Sequence, residues 1–213
     1  MRVLIMANGD PPSRRNARAA VERHELLIAV DGAAHVAAAM GLKPGLICGD
    51  FDSMDRGVAE IEFPNAEFVE TPDQELADLE KALLLARERG ATEIAMIGAG
   101  GGRVDHALTA IALLVRYCGA FALTLLDDGS AIRAVSGTAD ATGTLRLETN
   151  PSDTVSLIAF APENRVSISG VRWPLDDVRL PVGTRGVSNV ATGESVLIEV
   201  TCGVVVVCHL WEF

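Results

Sequence analysis

The stretch EIAMIGAGGGRVDHALTAIALLVRY, residues 93–117, contains the repeating unit that decides the fold class. Glu93–Ile97 is a short, nearly continuous apolar run, which predicts a strand that is buried on both faces. A glycine-rich segment follows, and Asp105–Tyr117 then has the apolar spacing of a helix. A strand, a loop and a helix in this order predict a mainly parallel α/β sheet.

The same alternation runs through the first 130 residues. The predicted strands are Arg2–Ala7, Leu26–Val30, Leu46–Cys48, Glu67–Val69, Glu93–Ile97 and Phe121–Leu125. The predicted helices are Ser13–Arg23, Ala33–Met40, Glu75–Arg89 and Asp105–Tyr117. Glu75–Arg89 is the clearest helix, because leucines recur at spacings of three and four and Gly90 follows as a C-cap.

The pattern changes after Gly129, where short strands follow one another with no long helix between them. These predicted strands are Leu145–Leu147, Thr154–Ala159, Val166–Ser169, Ser195–Val200 and Val204–Leu210. Such spacing is typical of an antiparallel sandwich or barrel. We therefore expect an α/β domain at residues 1–130 and an all-β sandwich domain at residues 140–213.

Composition excludes several classes of protein. With 49% hydrophobic and 22% charged residues among 213, the chain is too apolar for disorder, and a net charge of −11 disfavours nucleic acid. No apolar run approaches the ~20 residues of a membrane span. The four cysteines include no Cys-x-x-Cys pair, which suits a reducing compartment. We expect a cytoplasmic protein that binds neither nucleic acid nor membrane.

Acidic and glycine residues follow five predicted strands of the α/β region. These segments are Ala7-Asn8-Gly9-Asp10, Asp31-Gly32-Ala33, Gly49-Asp50-Phe51-Asp52-Ser53, Thr71-Pro72-Asp73-Gln74-Glu75 with Asp78, and Gly98–Arg103 with Asp105 and His106. One such segment is readily explained as a turn. Five at the carboxyl edge of one sheet, where ligands of α/β proteins bind, predict a functional site.

The residue types point to phosphate and a hard cation. Clustered carboxylates repel one another unless a cation compensates, and oxygen ligands such as Asp50 and Asp52 suit Mg²⁺ shared with substrate phosphates. Glycine backbone before a helix can bind an anion, and Arg103 either neutralises phosphate or is an ordinary surface arginine. The run is neither a dinucleotide fingerprint nor a Walker A loop. His106 either positions a phosphate or ribose or helps to cap the helix.

Taken together, these segments resemble the thiamine pyrophosphokinase (thiamine diphosphokinase) family over nearly the whole chain. The resemblance rests on Asp31-Gly32-Ala33, Gly49-Asp50-Phe51-Asp52-Ser53, Asp73-Gln74 through Asp78-Leu79-Glu80-Lys81-Ala82-Leu83, Gly101-Gly102-Arg103-Val104-Asp105-His106, Gly170-Val171-Arg172-Trp173-Pro174-Leu175 and Gly186-Val187-Ser188-Asn189. Two departures are Glu75 and Ala77, where the family often has aspartate and threonine.

The resemblance implies an α/β catalytic domain, a β-sandwich, a homodimer, and transfer of diphosphate from ATP to thiamine. It implies Mg²⁺ at Asp50, Asp52 and Asp78. We expect Asp73 or Asp52 to accept the alcohol proton. Residues expected to contact ATP are Asn8, Asp31, Gly32, Gly101, Gly102, Arg103, Asp105 and His106. Residues expected to contact thiamine are Gln74, Trp173, Ser188 and Asn189.

The thiamine residues of the second domain have an alternative interpretation, as does the activity. Trp173 either stacks on the thiamine rings or is sandwich core, and Ser188-Asn189 either donates hydrogen bonds to thiamine or is a tight turn. The alternative activities are another diphosphokinase, such as one acting on a hydroxymethylpterin, and a non-catalytic thiamine- or nucleotide-binding protein.

Overall fold

The computed structural model describes residues 1–51, 54–73 and 75–211, so Asp52, Ser53 and Gln74 lie outside the described residues. The chain divides into two compact units. The α/β unit comprises Met1–Leu113 and Phe121–Asp128, and the β unit comprises Leu114–Ala120 and Gly129–Phe213. No helix in the described part of the chain is long and apolar enough to cross a membrane.

The α/β unit contains the alternating elements that the sequence predicts and one helix, Arg56–Glu62, that it does not predict. In chain order they are β1 (Arg2–Met6), α1 (Arg14–Glu22), β2 (Leu26–Val30), α2 (Ala33–Met40), β3 (Leu46–Gly49), α3 (Arg56–Glu62), β4 (Glu67–Glu70), α4 (Asp78–Glu88), β5 (Glu93–Ile97), α5 (Val104–Tyr117) and β6 (Ala122–Asp127). Helix α5 continues from this unit into the β unit.

The six strands of this unit form a parallel sheet in the order β6-β5-β1-β2-β3-β4. Residues from Val3 to Met6 and from Ile94 to Ile97 are almost completely buried, as expected for strands covered on both faces. Strand β1 lies between β2 and β5. Strands β2 to β4 follow on one side of β1, and β5 and β6 lie on its other side, so the order of strands reverses between β1 and β5. Ligand sites of α/β proteins occur at this kind of reversal.

The β unit is antiparallel. Its strands are β7 (Ser130–Gly137), β8 (Gly143–Glu148), β9 (Thr154–Ala159), β10 (Asn164–Ser169), β11 (Leu175–Leu180), β12 (Asn189–Val190) and β13 (Ser195–Leu210). The first part of β13 pairs with β8 and β10, and its last part pairs with β7 and β9. The inward residues of these strands form the core of this unit. The predicted fold class, α/β followed by all-β, is confirmed.

One long strand replaces two predicted strands at the C-terminal end. The change of partners along β13 occurs near Gly203, whose φ is +85°. A side chain at this position would lie against Asn164, which is fully buried and whose Oδ1 accepts the Val204 N–H at 2.7 Å. Glycine and a buried amide therefore allow one strand to serve two sets of partners.

Helix α4 begins later than predicted, at Asp78 instead of Glu75. Ala77 has extended backbone, and the Glu75 N–H donates to Asp73 Oδ1 at 2.8 Å. This side-chain contact holds the segment before the helix in a turn, a typical use of aspartate. The apolar spacing that begins at Leu76 therefore extends past the true start of the helix.

Candidate active site

A cleft with a volume of about 680 Å³ lies where β1 and β5 end. Three groups of residues line it. The first group follows β1 and comprises Ala7, Asn8, Gly9 and Asp10, and the second lies at the end of β2 and comprises Val30 and Asp31. The third group lies at the start of α4 (Ala77, Asp78, Leu79) and in the loop after β5 and the start of α5 (Gly98, Ala99, Gly101, Gly102, Arg103, Asp105, His106, Thr109). The cleft is therefore at the reversal of strand order.

Close backbone contact holds the first and third groups together. Gly9 N–H donates to the Gly98 carbonyl at 2.9 Å, and Ala7 N–H donates to the Ile97 carbonyl at 2.9 Å. A Cβ on Gly9 would lie 2.5 Å from the Gly98 oxygen, and one on Gly98, at φ +67°, would lie 2.6 Å from the Ala7 oxygen. The glycines are therefore required here for the close approach of two chain segments.

Asn8 and Gly32 are also adjacent. A Cβ on Gly32 would lie 2.5 Å from Asn8 Nδ2, so the Asn8 amide occupies the space that glycine leaves. Asp31 precedes this glycine and has φ +45°, an uncommon value for a residue with a side chain. Its N–H donates to the Cys48 carbonyl at 2.8 Å, which ties the end of β2 to the end of β3.

Four carboxylates line the cleft: Asp10, Asp31, Asp78 and Asp105. Two of them, Asp78 and Asp31, act on the buried thiol of Cys48 at the end of β3, and Lys81 opposes them. Burial, and then the negative charge of Asp78 and that of Asp31, raise the pKa of Cys48 to about 12. The predicted convergence of acids from several strand ends is present at this edge.

Asp78 opens α4 and carries its charge in the first turn of that helix, where it is 41% exposed. Its Oδ1 lies 2.6 Å from the ammonium nitrogen of Lys81, which is 7% exposed. Lys81 also donates to the carbonyls of Thr71 and Asp73, at 2.9 Å each. These contacts join the segment after β4 to the beginning of α4.

Arg103 and Asp105 form a two-point ion pair at the edge of the cleft. Arg103 Nε and Nη2 donate to the two carboxylate oxygens at 3.1 and 2.6 Å. Hydrogen bonding from Arg103 holds the pKa of Asp105 at about 2, well below its usual value. Both side chains are largely exposed, at 71% and 64%. The pair presents charged groups to the cleft beside the N-terminus of α5.

His106 lies in the first turn of α5 and lines the cleft, and its backbone N–H donates to Asp105 Oδ1 at 3.1 Å. Asp105 is the second residue of α5, so its carboxylate accepts from the N–H of the next residue within the first turn. The expected role of His106 toward phosphate or ribose stays a prediction.

Not every predicted site residue reaches this cleft. Asp50 and Asp73 are described residues that follow β3 and β4, but neither lines the cleft. Asp52 and Gln74 lie outside the described residues. Among residues 1–51, 54–73 and 75–211, no three acidic, histidine or cysteine side chains are arranged as a metal site. The assignment of Asp50 and Asp52 to a metal therefore stays a prediction.

The residues of the β unit that are predicted to contact thiamine differ in their exposure. Trp173 is 56% exposed, so the alternative that it belongs to the sandwich core is wrong. Asn189 is buried, and its Oδ1 accepts from the N–H groups of Trp173 and Val190, at 3.1 and 2.9 Å. Its Nδ2 donates to the Trp173 carbonyl at 2.7 Å. Asn189 therefore holds the segment that carries the exposed indole.

Ser188 forms the turn before β12. It has φ +63°, and its N–H donates to the Ser156 hydroxyl at 2.9 Å. Ser188 therefore lies in a turn and Asn189 begins β12, and a contact of either side chain with thiamine stays a prediction.

Sequence reasoning missed two residues of this region. Asp10 was noted at the end of the first strand but was given no role, although it lines the cleft and lies against Gly101. The sequence predicts Lys81 only as one residue of a helical motif. Lys81 lies on the face opposite Leu79 and Leu83, so the apolar spacing of the helix does not signal its burial.

Comparisons with known proteins bear on both units. Residues 17–123 match the family "Thiamin pyrophosphokinase, catalytic domain". Residues 143–205 match the family "Thiamin pyrophosphokinase, vitamin B1 binding domain". The first match contains most of the elements that line the cleft, and the second contains Trp173 and Asn189.

Individual relatives agree. Thiamin pyrophosphokinase 1 of Caenorhabditis elegans is 28% identical over 200 residues, covering 85% of this chain and 77% of that protein. Thiamine pyrophosphokinase 1 of Oryza sativa subsp. japonica is 31% identical over 170 residues, covering 75% of this chain and 63% of that protein.

Solved structures show the same fold. Thiamine pyrophosphokinase from Bacillus subtilis superimposes with a TM-score of 0.85 at 22% identity, covering 100% of both chains. Yeast thiamin pyrophosphokinase superimposes with a TM-score of 0.77 at 17% identity, covering 99% of this chain and 86% of that one. With matches to both family domains from residue 17 to residue 205, the chain belongs to the thiamin pyrophosphokinase family.

Proposed function

We propose that this chain transfers the diphosphate group of ATP to the hydroxyethyl group of thiamine, giving thiamine diphosphate and AMP. The observation that carries the proposal is the cleft at the reversal of strand order, where a glycine loop and four carboxylates meet. The matches to a catalytic and a vitamin B1 binding domain support the same activity.

The reaction needs positioning and charge neutralisation more than covalent catalysis. The alcohol oxygen of thiamine attacks the β-phosphorus of ATP, and the bond from that phosphorus to the oxygen bridging it to the α-phosphorus breaks. AMP leaves with the bridging oxygen, and the alcohol proton passes to a base. We assign this base to Asp73 or Asp52, as expected from the sequence.

The phosphate groups are bound by backbone and by Arg103 in this proposal. The Gly98–Gly102 loop offers N–H groups with little steric hindrance, and the N-terminus of α5 favours negative charge. Arg103 adds a planar guanidinium at the same edge. We assign contacts with the nucleotide to Asn8, Asp31 and Gly32 as well.

The donor chemistry of the cleft fits Mg²⁺, which takes hard oxygen ligands and is usually bound by one or two carboxylates together with substrate phosphates. Asp78 lines the cleft, and Asp50 and Asp52 follow the neighbouring strand β3. We propose that these three residues hold the ion. When bound, it neutralises charge on the phosphates.

The acceptor is recognised through Trp173 and Gln74. The exposed indole of Trp173 offers a flat surface on which the pyrimidine or the thiazolium cation can stack. Thiamine is cationic, so the carboxylates of the cleft also favour its approach.

We further propose that the enzyme is a cytoplasmic homodimer. All four cysteines lie in the described part of the chain and are free thiols, which supports a reducing compartment. The family resemblance supports the dimer.

The experiment that tests the activity measures AMP and thiamine diphosphate formed from ATP and thiamine. A hydroxymethylpterin serves as the control acceptor, and excess EDTA followed by added Mg²⁺ tests the metal. We expect equal amounts of both products with thiamine, none with the pterin, and loss and recovery of turnover with EDTA and Mg²⁺. Binding of thiamine without AMP formation would contradict the proposal.

A further inference from the structure

Lys81 is a buried cation beside the cleft. Its side chain is 7% exposed and lies on α4 among buried residues such as Ala82 and Leu83. Taking an ammonium group out of water is costly unless hydrogen bonds and a counter-charge replace the water. A lysine in this position therefore depends on its partners, and those partners indicate what it does.

Three oxygens surround the ammonium nitrogen. The carbonyls of Thr71 and Asp73 lie at 2.9 Å each, and Asp78 Oδ1 lies at 2.6 Å. An ammonium group has three protons and no acceptor, so these contacts use its full hydrogen-bonding capacity. Lys81 does not line the cleft and has no donor left for a phosphate.

The contacts connect the segment after β4 to the first turn of α4. Thr71 N–H donates to the Gly49 carbonyl at 2.9 Å, which ties the segment to the end of β3. Beyond Thr71, the Asp73 carbonyl is held by Lys81, and the Asp73 carboxylate accepts from the Glu75 N–H at 2.8 Å. Lys81 therefore sets where Asp73 stands relative to Asp78.

We propose that Lys81 is a positioning residue: it fixes the Thr71–Asp73 segment and the Asp78 carboxylate relative to each other and contacts no substrate. This inference rests on the proposed function, in which Asp73 and Asp78 serve the acceptor and the metal. The ammonium makes three directed contacts, two to backbone carbonyls and one to a carboxylate.

The test compares Lys81→Met with Arg87→Met, a control that removes a positive charge from an exposed position on the same helix. For Lys81→Met we expect kcat to fall about 100-fold, the cost of misplacing reacting groups by about 1 Å. The KM for ATP should change less than about threefold, because the glycine loop is untouched. Arg87→Met should keep the wild-type constants.

Hydrogen exchange of the substrate-free protein gives a second readout that does not need activity. In Lys81→Met the amides of residues 70–79 should exchange faster, while those of β1 and β5 keep their wild-type rates. If the wild type makes no thiamine diphosphate but this selective change occurs, the positioning role stands and the proposed function fails.

Two outcomes would overturn the inference. One is a folded Lys81→Met protein with nearly normal kcat and unchanged exchange in residues 70–79. The other is a selective rise in the KM for ATP at unchanged kcat, which would show that the ammonium binds nucleotide. Should Lys81→Met fail to fold, Lys81→Gln decides, since it loses the charge but keeps two N–H donors: kcat should fall more than about tenfold, with less than about a threefold change in the KM for ATP. A wild-type kcat in folded Lys81→Gln would overturn the inference.

Discussion

The Arg103 guanidinium has an ion-pair partner, the Asp105 carboxylate, in the substrate-free protein. In the structure the guanidinium is paired with the Asp105 carboxylate, and both groups are largely exposed. Exposed pairs contribute little to stability. The guanidinium can therefore exchange this carboxylate for a phosphate at low cost, which is what a nucleotide site at this edge requires.

Replacing Arg103 by alanine should weaken the binding of ATP more than the binding of thiamine. Loss of one charge-assisted contact costs about 1.5–3 kcal/mol, so the KM for ATP should rise roughly 10- to 100-fold. Steady-state kinetics with each substrate varied in turn measures this. Arg103→Lys, which keeps the charge but loses the planar fork, should fall between alanine and wild type.

The effect of the Arg103 variants on the KM for ATP should not depend on pH in the neutral range. In the wild type the pKa of Asp105 is lowered to about 2, so the pair favours folding fully above the ordinary aspartate pKa, and this contribution is lost as pH falls from there through about 2. From about pH 5 to 8 an aspartate is charged with or without Arg103, so the ratio of variant to wild-type KM for ATP should be constant. A selective rise in the KM for thiamine would show that Arg103 contacts thiamine and not ATP.

Asn189 is a positioning residue for Trp173 in the structure, since its side-chain amide binds the backbone N–H and carbonyl of that residue. Asn189→Ala should raise the KM for thiamine about tenfold by releasing the indole, whose stacking is worth roughly 0.5–2 kcal/mol. The KM for ATP should not change. Kinetics with both substrates and Trp173 fluorescence in a Trp211→Phe background measure the effect.

Asn189→Asp is the matched control. It keeps an oxygen for the N–H groups of Trp173 and Val190, but it places a buried carboxylate oxygen against the Trp173 carbonyl, so its effect should be at least as large as that of alanine. An unchanged KM for thiamine in Asn189→Ala, with altered fluorescence, would separate Trp173 from the thiamine site.

At the scale of elements, the close packing of the loops that follow β1 and β5 depends on glycine. A glycine elsewhere that has no close neighbours among the described residues provides the control. Gly98 and Gly90 both have positive φ, +67° and +83°. A Cβ on Gly98 would lie 2.6 Å from the Ala7 oxygen, whereas a Cβ on Gly90 would have no atom of the described chain within 4 Å. Only the first glycine is required for close packing.

Gly98→Ala should therefore destabilise the fold more than Gly90→Ala. A residue with a side chain at positive φ costs about 1–2 kcal/mol, which applies to both, and the steric conflict at Gly98 adds about 1–3 kcal/mol. Urea denaturation of the two variants measures the difference. Equal losses of unfolding free energy would contradict the close packing of the β1 and β5 loops.

At the scale of the whole molecule, we expect the proposed homodimer to build each thiamine pocket from two copies of the chain, with Trp173 of one copy beside the cleft of the other. The test mixes Asp78→Asn with Trp173→Ala chains and measures turnover at a thiamine concentration well below the wild-type KM, where loss of the indole lowers the rate. In a mixed dimer one site carries both changes and the other carries neither, so about half of the wild-type activity per heterodimer should return. Heterodimers without recovered activity would mean that each site is built within one chain.

The sequence predicted the elements of the α/β unit where burial on both faces makes the pattern plain. Strands such as Leu26–Val30 have their predicted bounds. Helix α3 was missed, because only Ala59 of its seven residues is buried and no apolar spacing is visible. Strand β11 was missed for a similar reason, since its aspartates are exposed and hide the alternation.

What the sequence determined by itself is the order of strands and helices, and which residues stand at strand ends, because both follow from local apolar spacing and turn-forming residues. Only the tertiary structure decided which of those residues share one cleft and what their side chains bind. Lys81 finds two of its partners eight and ten residues away, Asn189 binds Trp173 sixteen residues away, and Gly9 packs on Gly98. Such contacts depend on how distant segments approach in space, and no local pattern in the chain records that.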